Sequence, residues 1–258
     1  CTTCHAPVPK LKSFGEDFAG NAFMLSEDQE PKRFFYDTGD EILTLMRDLP
    51  VAIRFDAYVQ FDNMKDKDLF DLKMPYGIKL LSGGSRSKHI GYYFYFYMSE
   101  QGEVVGIEDA YIHFNDLLDR DLDLIVGQFQ ISDPVFKREL RLTFEDYQIY
   151  KVRVGDAPTD LTYDRGFMIL YGAPFGLDVV YELVNGNGKG LPENGYFDSD
   201  DWKNRFIRLS QSIGPVRVGG FGFLCKNIAR VGGEKVKNEH YYWGVDGTVD
   251  IRDRLQLN

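Results

Sequence analysis

Cysteine and histidine are scarce in this chain of 258 residues, three and four respectively, so where they fall is informative. A structural zinc module needs a second pair of ligands, and the one cysteine outside the N-terminus, Cys225, stands alone. No run of about 18 apolar residues is present, which excludes a membrane-spanning helix and says nothing against a spanning barrel. Lys and Arg number 30 against 40 Asp and Glu, a net charge of -10, so nucleic acid is not an expected partner. No serine-histidine-aspartate or paired-carboxylate arrangement stands out. Asp156 to Asp160 lacks calcium-loop spacing, and Asn185-Gly186-Asn187-Gly188-Lys189-Gly190 leads into a loop with no helix to cradle a phosphate.

What is present begins at the first residue. Cys1-Thr2-Thr3-Cys4-His5 spells C-x-x-C-H, the attachment signature of a c-type haem. Two thiols at this spacing form thioethers to the vinyl groups of one porphyrin, and the next imidazole reaches the iron. Cys1 and Cys4 are therefore the expected attachment points of one covalent haem c, and His5 the proximal ligand of its iron. A thioredoxin-type redox disulfide is one alternative, although no βαβ unit follows. A lipid on Cys1, as the first residue of a mature chain, is another.

For the distal ligand, Met24 among Ala22, Phe23 and Leu25 is the first candidate, because thioether ligation raises the reduction potential. Met46 is the second, and either also fits as core filler. His240 falls on the polar face of its strand, as does His113. His89 reads as exposed and Cys225 as a buried thiol. Glu27, Asp28 and Glu30, and the run Asp198-Ser199-Asp200-Asp201, offer carboxylates to iron(II) but also fit as solvated loops.

Aromatic residues and glycine are abundant, with 16 Tyr, 20 Phe and 26 Gly, a mix that points to β structure. Val51, Ile53, Phe55, Ala57, Val59 and Phe61 alternate with Arg54, Asp56, Tyr58 and Gln60. Tyr241, Trp243, Val245, Val249 and Ile251 alternate with His240, Tyr242, Asp246, Thr248 and Asp250. Period-two runs of about ten residues are long enough for tilted strands to cross a bilayer. Further strands are expected near Tyr76 to Ser82, Ile90 to Met98, Val105 to Phe114, Leu122 to Phe129, Leu161 to Gly172, Leu177 to Val184, Lys203 to Ser212 and Val216 to Cys225. Short links alternate with the long one from Asn185 to Trp202, as in outer-membrane barrels. A soluble sandwich or lipocalin-like barrel would alternate in the same way. Charges such as Arg54 and Asp56 in mid-strand favour a wet lumen.

Ile107-Glu108-Asp109-Ala110-Tyr111-Ile112, Val126-Gly127-Gln128-Phe129 with Pro134 and Phe136, and Asp164-Arg165-Gly166-Phe167-Met168 resemble segments of phosphate-selective outer-membrane porins. The likeness covers roughly Leu49 to Asn258. In that family a strand reaching Gly-Gln-Phe is followed by a loop folded inward. Joined to C-x-x-C-H, the arrangement resembles the fused cytochrome-porins of the outer membrane, best known as iron(II) oxidases. The acidic balance departs from phosphate-selective porins and favours cations.

The expected fold is all-β: an antiparallel transmembrane β-barrel (residues 49–258) behind a short monohaem cytochrome c-like segment (residues 1–48). Leu255-Gln256-Leu257-Asn258 reads like a strand just beginning, so the expectation is a part of a longer protein. Asp37 to Glu41 is expected to open a helical turn over Glu41 to Arg47, and Ser26 to Pro31 to be a loop.

The resemblance implies electron transfer at the bacterial outer membrane, from an extracellular donor such as iron(II) to a periplasmic c-type cytochrome. In enzyme terms this is an iron(II):cytochrome c oxidoreductase, reached by export of a precursor with a signal peptide. The alternatives are a solute-diffusion porin with a structural haem, and a periplasmic β-protein docked on a larger multihaem assembly.

Overall fold

Alternating apolar and polar side chains need a strand whose two faces meet different surroundings, and the described residues form eleven strands in one sheet. The structure, a computed structural model, describes residues 3–5, 10–24, 35–40, 43, 45–46, 50–64, 67–137, 147–155, 157–192, 195–198, 200–231, 234–251 and 255–257. A helix, α1 (Ser13–Gly20), comes first. Two short strands follow, β1 (Phe35–Tyr36) and β2 (Leu45–Met46), paired with each other. The main sheet holds β3 (Val51–Met64), β4 (Lys67–Ser87), β5 (Ile90–Glu100), β6 (Gly106–Phe114), β7 (Leu122–Gln130), β8 (Tyr163–Gly172), β9 (Leu177–Val184), β10 (Asn204–Ile213), β11 (Val216–Val231), β12 (Glu234–Ile251) and β13 (Leu255–Leu257). Each pairs antiparallel with its neighbours in sequence, and β3 and β13 are the two edges, so the sheet is not closed. The protein is all-β in its main architecture, and no described helix is long and apolar enough to cross a membrane.

The ten strands expected from the sequence correspond to β3 through β12. The largest difference is β4, which begins at Lys67 and not near Tyr76. Pro75 hid its first half: a proline has no N–H for the ladder. Here it sits opposite the bulge where the β3 register shifts between Asp56 and Tyr58. The helical turn expected over Glu41 to Arg47 is not what forms, since Leu45 and Met46 pair with Tyr36 and Phe35. The Ser26 to Pro31 loop lies outside the described residues.

The two faces of the sheet reverse the arrangement of a soluble protein. The apolar residues of β3 and β12 point outward: Phe61 is 75% exposed, Trp243 82% and Val245 84%. Ile112, Phe167, Ile169, Ile207, Leu209, Val218 and Leu224 continue this apolar surface across the intervening strands. Along β3 it runs from Val51 to Phe61, roughly 33 Å of strand at about 3.3 Å per residue. A tilt of about 45° would bring that to about 24 Å, near the 25 Å apolar belt of membrane barrels.

The inner face carries the charges. Arg54 Nε donates to Asp56 (2.8 Å), Lys79 Nζ lies 3.0 Å from the other Asp56 oxygen, and Arg208 Nε donates to Asp246 (3.1 Å). Lys79 Nζ also lies 4.4 Å from the centre of the Tyr97 ring.

Part of the inner face is apolar because the β7–β8 connection packs on it. Ile131, Tyr150 and Leu161 from that connection join Ile125, Phe129, Met168, Val180, Val184, Phe206, Phe223 and Cys225 in one buried cluster. The Tyr242 hydroxyl pins the connection from β12 by donating to the carbonyls of Val152 (3.1 Å) and Thr159 (3.3 Å). The segment after Gly127-Gln128-Phe129 therefore folds inward.

One end of the sheet, the long-loop end, carries the two longest links, 131–162 and 185–203, together with the short connections 65–66, 101–105 and 232–233; the other, the short-turn end, carries the turns at 88–89, 115–121, 173–176 and 214–215. The chain enters β3 from this short-turn end.

Candidate functional site

The Cys4-His5 turn packs on α1, and the turn after α1 rests on the sheet. Cys1 lies outside the described residues. Cys4 is half-buried and in no disulfide, and its carbonyl accepts from Lys12 N (2.8 Å) just ahead of the helix. His5 pairs with Leu11 in an isolated bridge. Gly15 makes this fit possible: a Cβ there would lie 2.5 Å from the Cys4 carbonyl oxygen and 3.1 Å from its Cβ. Helix and cysteine turn are thus packed backbone to backbone, which holds the thiol and the imidazole on one short loop.

After α1 the chain turns sharply. Ala22 (φ 51) and Phe23 (φ 63) both adopt the left-handed conformation, which costs a non-glycine residue roughly 1–2 kcal/mol and needs support from its surroundings. The support is a seat on the inner face of β4 and β5. A Cβ on Gly91 would lie 2.4 Å from the Ala22 carbonyl oxygen, and one on Gly83 would lie 2.9 Å from the Phe23 ring. Phe23 stacks on Tyr93 (centroids 5.4 Å apart, planes 15°), and Tyr93 meets Tyr111 at 5.5 Å. The segment is therefore docked on the sheet near the short-turn end.

Gly91→Val is accordingly expected to overpack the seat and destabilise the protein by about 1–3 kcal/mol. Limited proteolysis should then release residues 10–24. Gly222→Val, where an added Cβ meets nothing within 4 Å, is the control that should leave the segment protected.

Met24 follows this turn, half-buried, with its N–H on the Asn21 carbonyl (2.9 Å). It stands at the C-terminal end of α1 and the Cys4-His5 turn at the N-terminal end. Met46 lies in β2.

Histidine placement was only partly legible. His113 and His240 are both buried on the inner face, as the polar pattern suggested. His89, expected to be exposed, is half-buried with Nδ1 3.1 Å from the Asn115 carbonyl oxygen, because the β4 strand runs on to Ser87 and leaves only a two-residue turn. Sequence reasoning missed the partner of His113: its Nε2 lies 3.0 Å from Asp123, whose second oxygen accepts from Asp116 N (2.9 Å). His113 is directly opposite Gly91, beside the seat of Ala22. Only the register of two strands places these residues together.

Acidic residues gather at the same end: Asp116, Asp119, Asp121, Asp123 and Asp178. The Asp121 carboxyl is held above its ordinary value, first by burial and then by the negative charges of Asp123, Asp116 and Asp178. At the long-loop end, charges are paired within the protein. Arg165 donates to the carbonyls of Gly188, Lys189 and Gly190, and Lys189 pairs with Glu108 (3.1 Å). Asp198 pairs with Lys203, and Asp200 accepts from the backbone of Trp202 (2.7 Å) and Ile228 (2.9 Å). The Asp198 to Asp201 run thus organises its own loop. Glu27, Asp28 and Glu30 lie outside the described residues. Among the described residues no group of three or more His, Cys, Asp or Glu side chains is placed to hold a metal ion. No protein-family model matches the chain, and no curated protein matches it either.

Proposed function

We propose that the protein is an outer-membrane β-barrel whose N-terminal segment carries one covalent haem c and moves electrons between an extracellular donor, iron(II), and a periplasmic c-type cytochrome. The observation that carries the reading is a conjunction. An exposed apolar face belongs to the same sheet whose inner face seats Ala22 and Phe23, the turn that follows the helix packed against Cys4. Outward-facing Trp243 and Val245 suit hydrocarbon, not water.

Haem c, when bound, supplies a one-electron iron couple whose potential its axial ligands tune. Cys1 and Cys4 would tether it, and His5 would offer an imidazole nitrogen to the iron. α1 fixes the tether through the close approach of Gly15 to Cys4. Phe18 meets Phe23 edge-on and Phe23 stacks on Tyr93, which joins the helix to the sheet through aromatic contacts. The carboxylates of the 115–121 turn, at the short-turn end, give a cationic cytochrome an electrostatic landing surface. Ile131, Tyr150 and Leu161 of the β7–β8 connection, and Ala22 and Phe23 of the N-terminal segment, pack on parts of the inner face.

The experiment is a redox-titrated visible spectrum of the purified protein in detergent, with and without iron(II), beside a haem-stained gel run with and without heating. Expected are covalent haem, reduction by iron(II), and a heat-dependent mobility shift. Absence of covalent haem ends the electron-transfer reading. A haem that iron(II) fails to reduce ends the oxidase reading alone, and absence of a heat shift ends the barrel.

A further inference from the structure

The register of β11 and β12 puts Cys225 directly opposite His240, and both side chains point to the inner face. Cys225 is 4% exposed and His240 5%. Directly opposed residues on one face have Cβ atoms about 4.5–5.5 Å apart, close enough for a sulfur and a ring nitrogen to converge on one point between them.

The imidazole is the unusual member. Neutral histidine carries one donor and one acceptor, and neither ring nitrogen of His240 has a hydrogen-bond partner among the described residues, although both atoms are buried. Leaving such groups unpaired costs about 1–3 kcal/mol each. The neighbours that might serve are already engaged. Tyr242 stands edge-on to the ring (5.7 Å) with its hydroxyl directed to the carbonyls of Val152 and Thr159. Asn204 of β10 donates to Thr159 Oγ1 (3.2 Å) and accepts from Lys226 N (2.9 Å). Asn227, two residues beyond Cys225 on the same face, adds an amide oxygen that also lacks a partner.

We infer that Cys225 and His240 form a binding site for one soft monovalent metal cation, of the copper(I) class, with Asn227 beside it. The ligand set selects the ion. Structural zinc takes four ligands, and calcium takes six or more oxygens. Thiolate sulfur with one imidazole suits copper(I), which accepts few ligands. Charge selects it as well: one thiolate and one monovalent cation sum to zero, whereas a divalent ion would leave an unpaired positive charge in a buried place. On binding, the Cys225 thiol gives its proton to solvent, a sulfur–copper and a nitrogen–copper bond form, and no electron moves. The site sits on strands toward the long-loop end, away from the N-terminal seat, and does not depend on the haem.

The test is an anaerobic copper(I) titration of the full chain in detergent against a chromophoric copper(I) chelator, comparing the unmodified protein with Cys225→Ser and His240→Gln. Cys225→Ser is expected to lose one equivalent of bound copper(I) whatever Cys1 and Cys4 bind. His240→Gln should weaken that equivalent by more than about 100-fold, since even outer-shell partners are worth about 10–100-fold in metal affinity. X-ray absorption on the unmodified protein gives a reading that needs no variant, and should show one nitrogen and one sulfur on a bound copper(I). Equal stoichiometry in the unmodified protein and Cys225→Ser, or a copper environment without imidazole nitrogen, overturns the site.

Discussion

Val245→Arg is expected to destabilise the folded protein in lipid bilayers by about 2–4 kcal/mol, the range found for arginine on the lipid face of a barrel near the midplane. Val245 stands midway along the apolar stretch of β12 from Tyr241 to Val249 and is 84% exposed. In water the same exposure would make the change nearly free, within about 0.5 kcal/mol, because an exposed valine gives up little when replaced. The two environments therefore predict different magnitudes for one substitution. Denaturant unfolding in vesicles measures it, with Leu191→Arg in the 185–203 connection as the control expected to stay within about 0.5 kcal/mol. A silent Val245→Arg would place this face in water and remove the membrane from the proposed function.

Replacing both cysteines, Cys1→Ser with Cys4→Ser, is expected to abolish the haem stain of the denatured protein while leaving the heat-dependent gel mobility unchanged. Attachment of a c-type haem at C-x-x-C-H uses both thiols, and the structure shows Cys4 as a free, half-buried thiol on a short loop ahead of α1. Its neighbours are Leu11, Lys12 and Gly15, and it contributes nothing to the strand ladder. Loss of the sulfur should consequently cost the cofactor and spare the sheet. Cys225→Ser should retain the stain. If the doubly substituted protein keeps its stain, the motif does not hold a haem in this protein and the electron-transfer proposal goes with it.

Period-two patterning made the sheet legible because each strand has one face outward and one inward, and side chains such as Phe55 and Asp56 report opposite surroundings in adjacent positions. Which face was outward was also readable, since mid-strand charges like Arg54 need a polar interior or water. Other features depend on contacts between residues far apart in sequence. α1 was not legible: Gly15 and Gly20 weaken its local propensity, and Gly15 is there for its approach to Cys4. The pairing of His113 with Asp123, the seat of Phe23 against Gly83, and the juxtaposition of Cys225 with His240 exist only through strand register. Within the motif, the spacing of Cys1, Cys4 and His5 named a chemistry, but nothing local to it named the surface on which the segment rests.

That resting surface also has consequences for the order of assembly. Gly83 and Gly91 lie close in sequence on one hairpin, joined by the tight turn at Lys88 and His89, so the place that receives Ala22 and Phe23 can form from local contacts. The rest of the inner face draws Phe129, Phe206 and Phe223 from distant parts of the chain and must close later. The N-terminal segment thus has a landing place before the distant strands of the sheet are paired, and it can act as a nucleus on which they assemble.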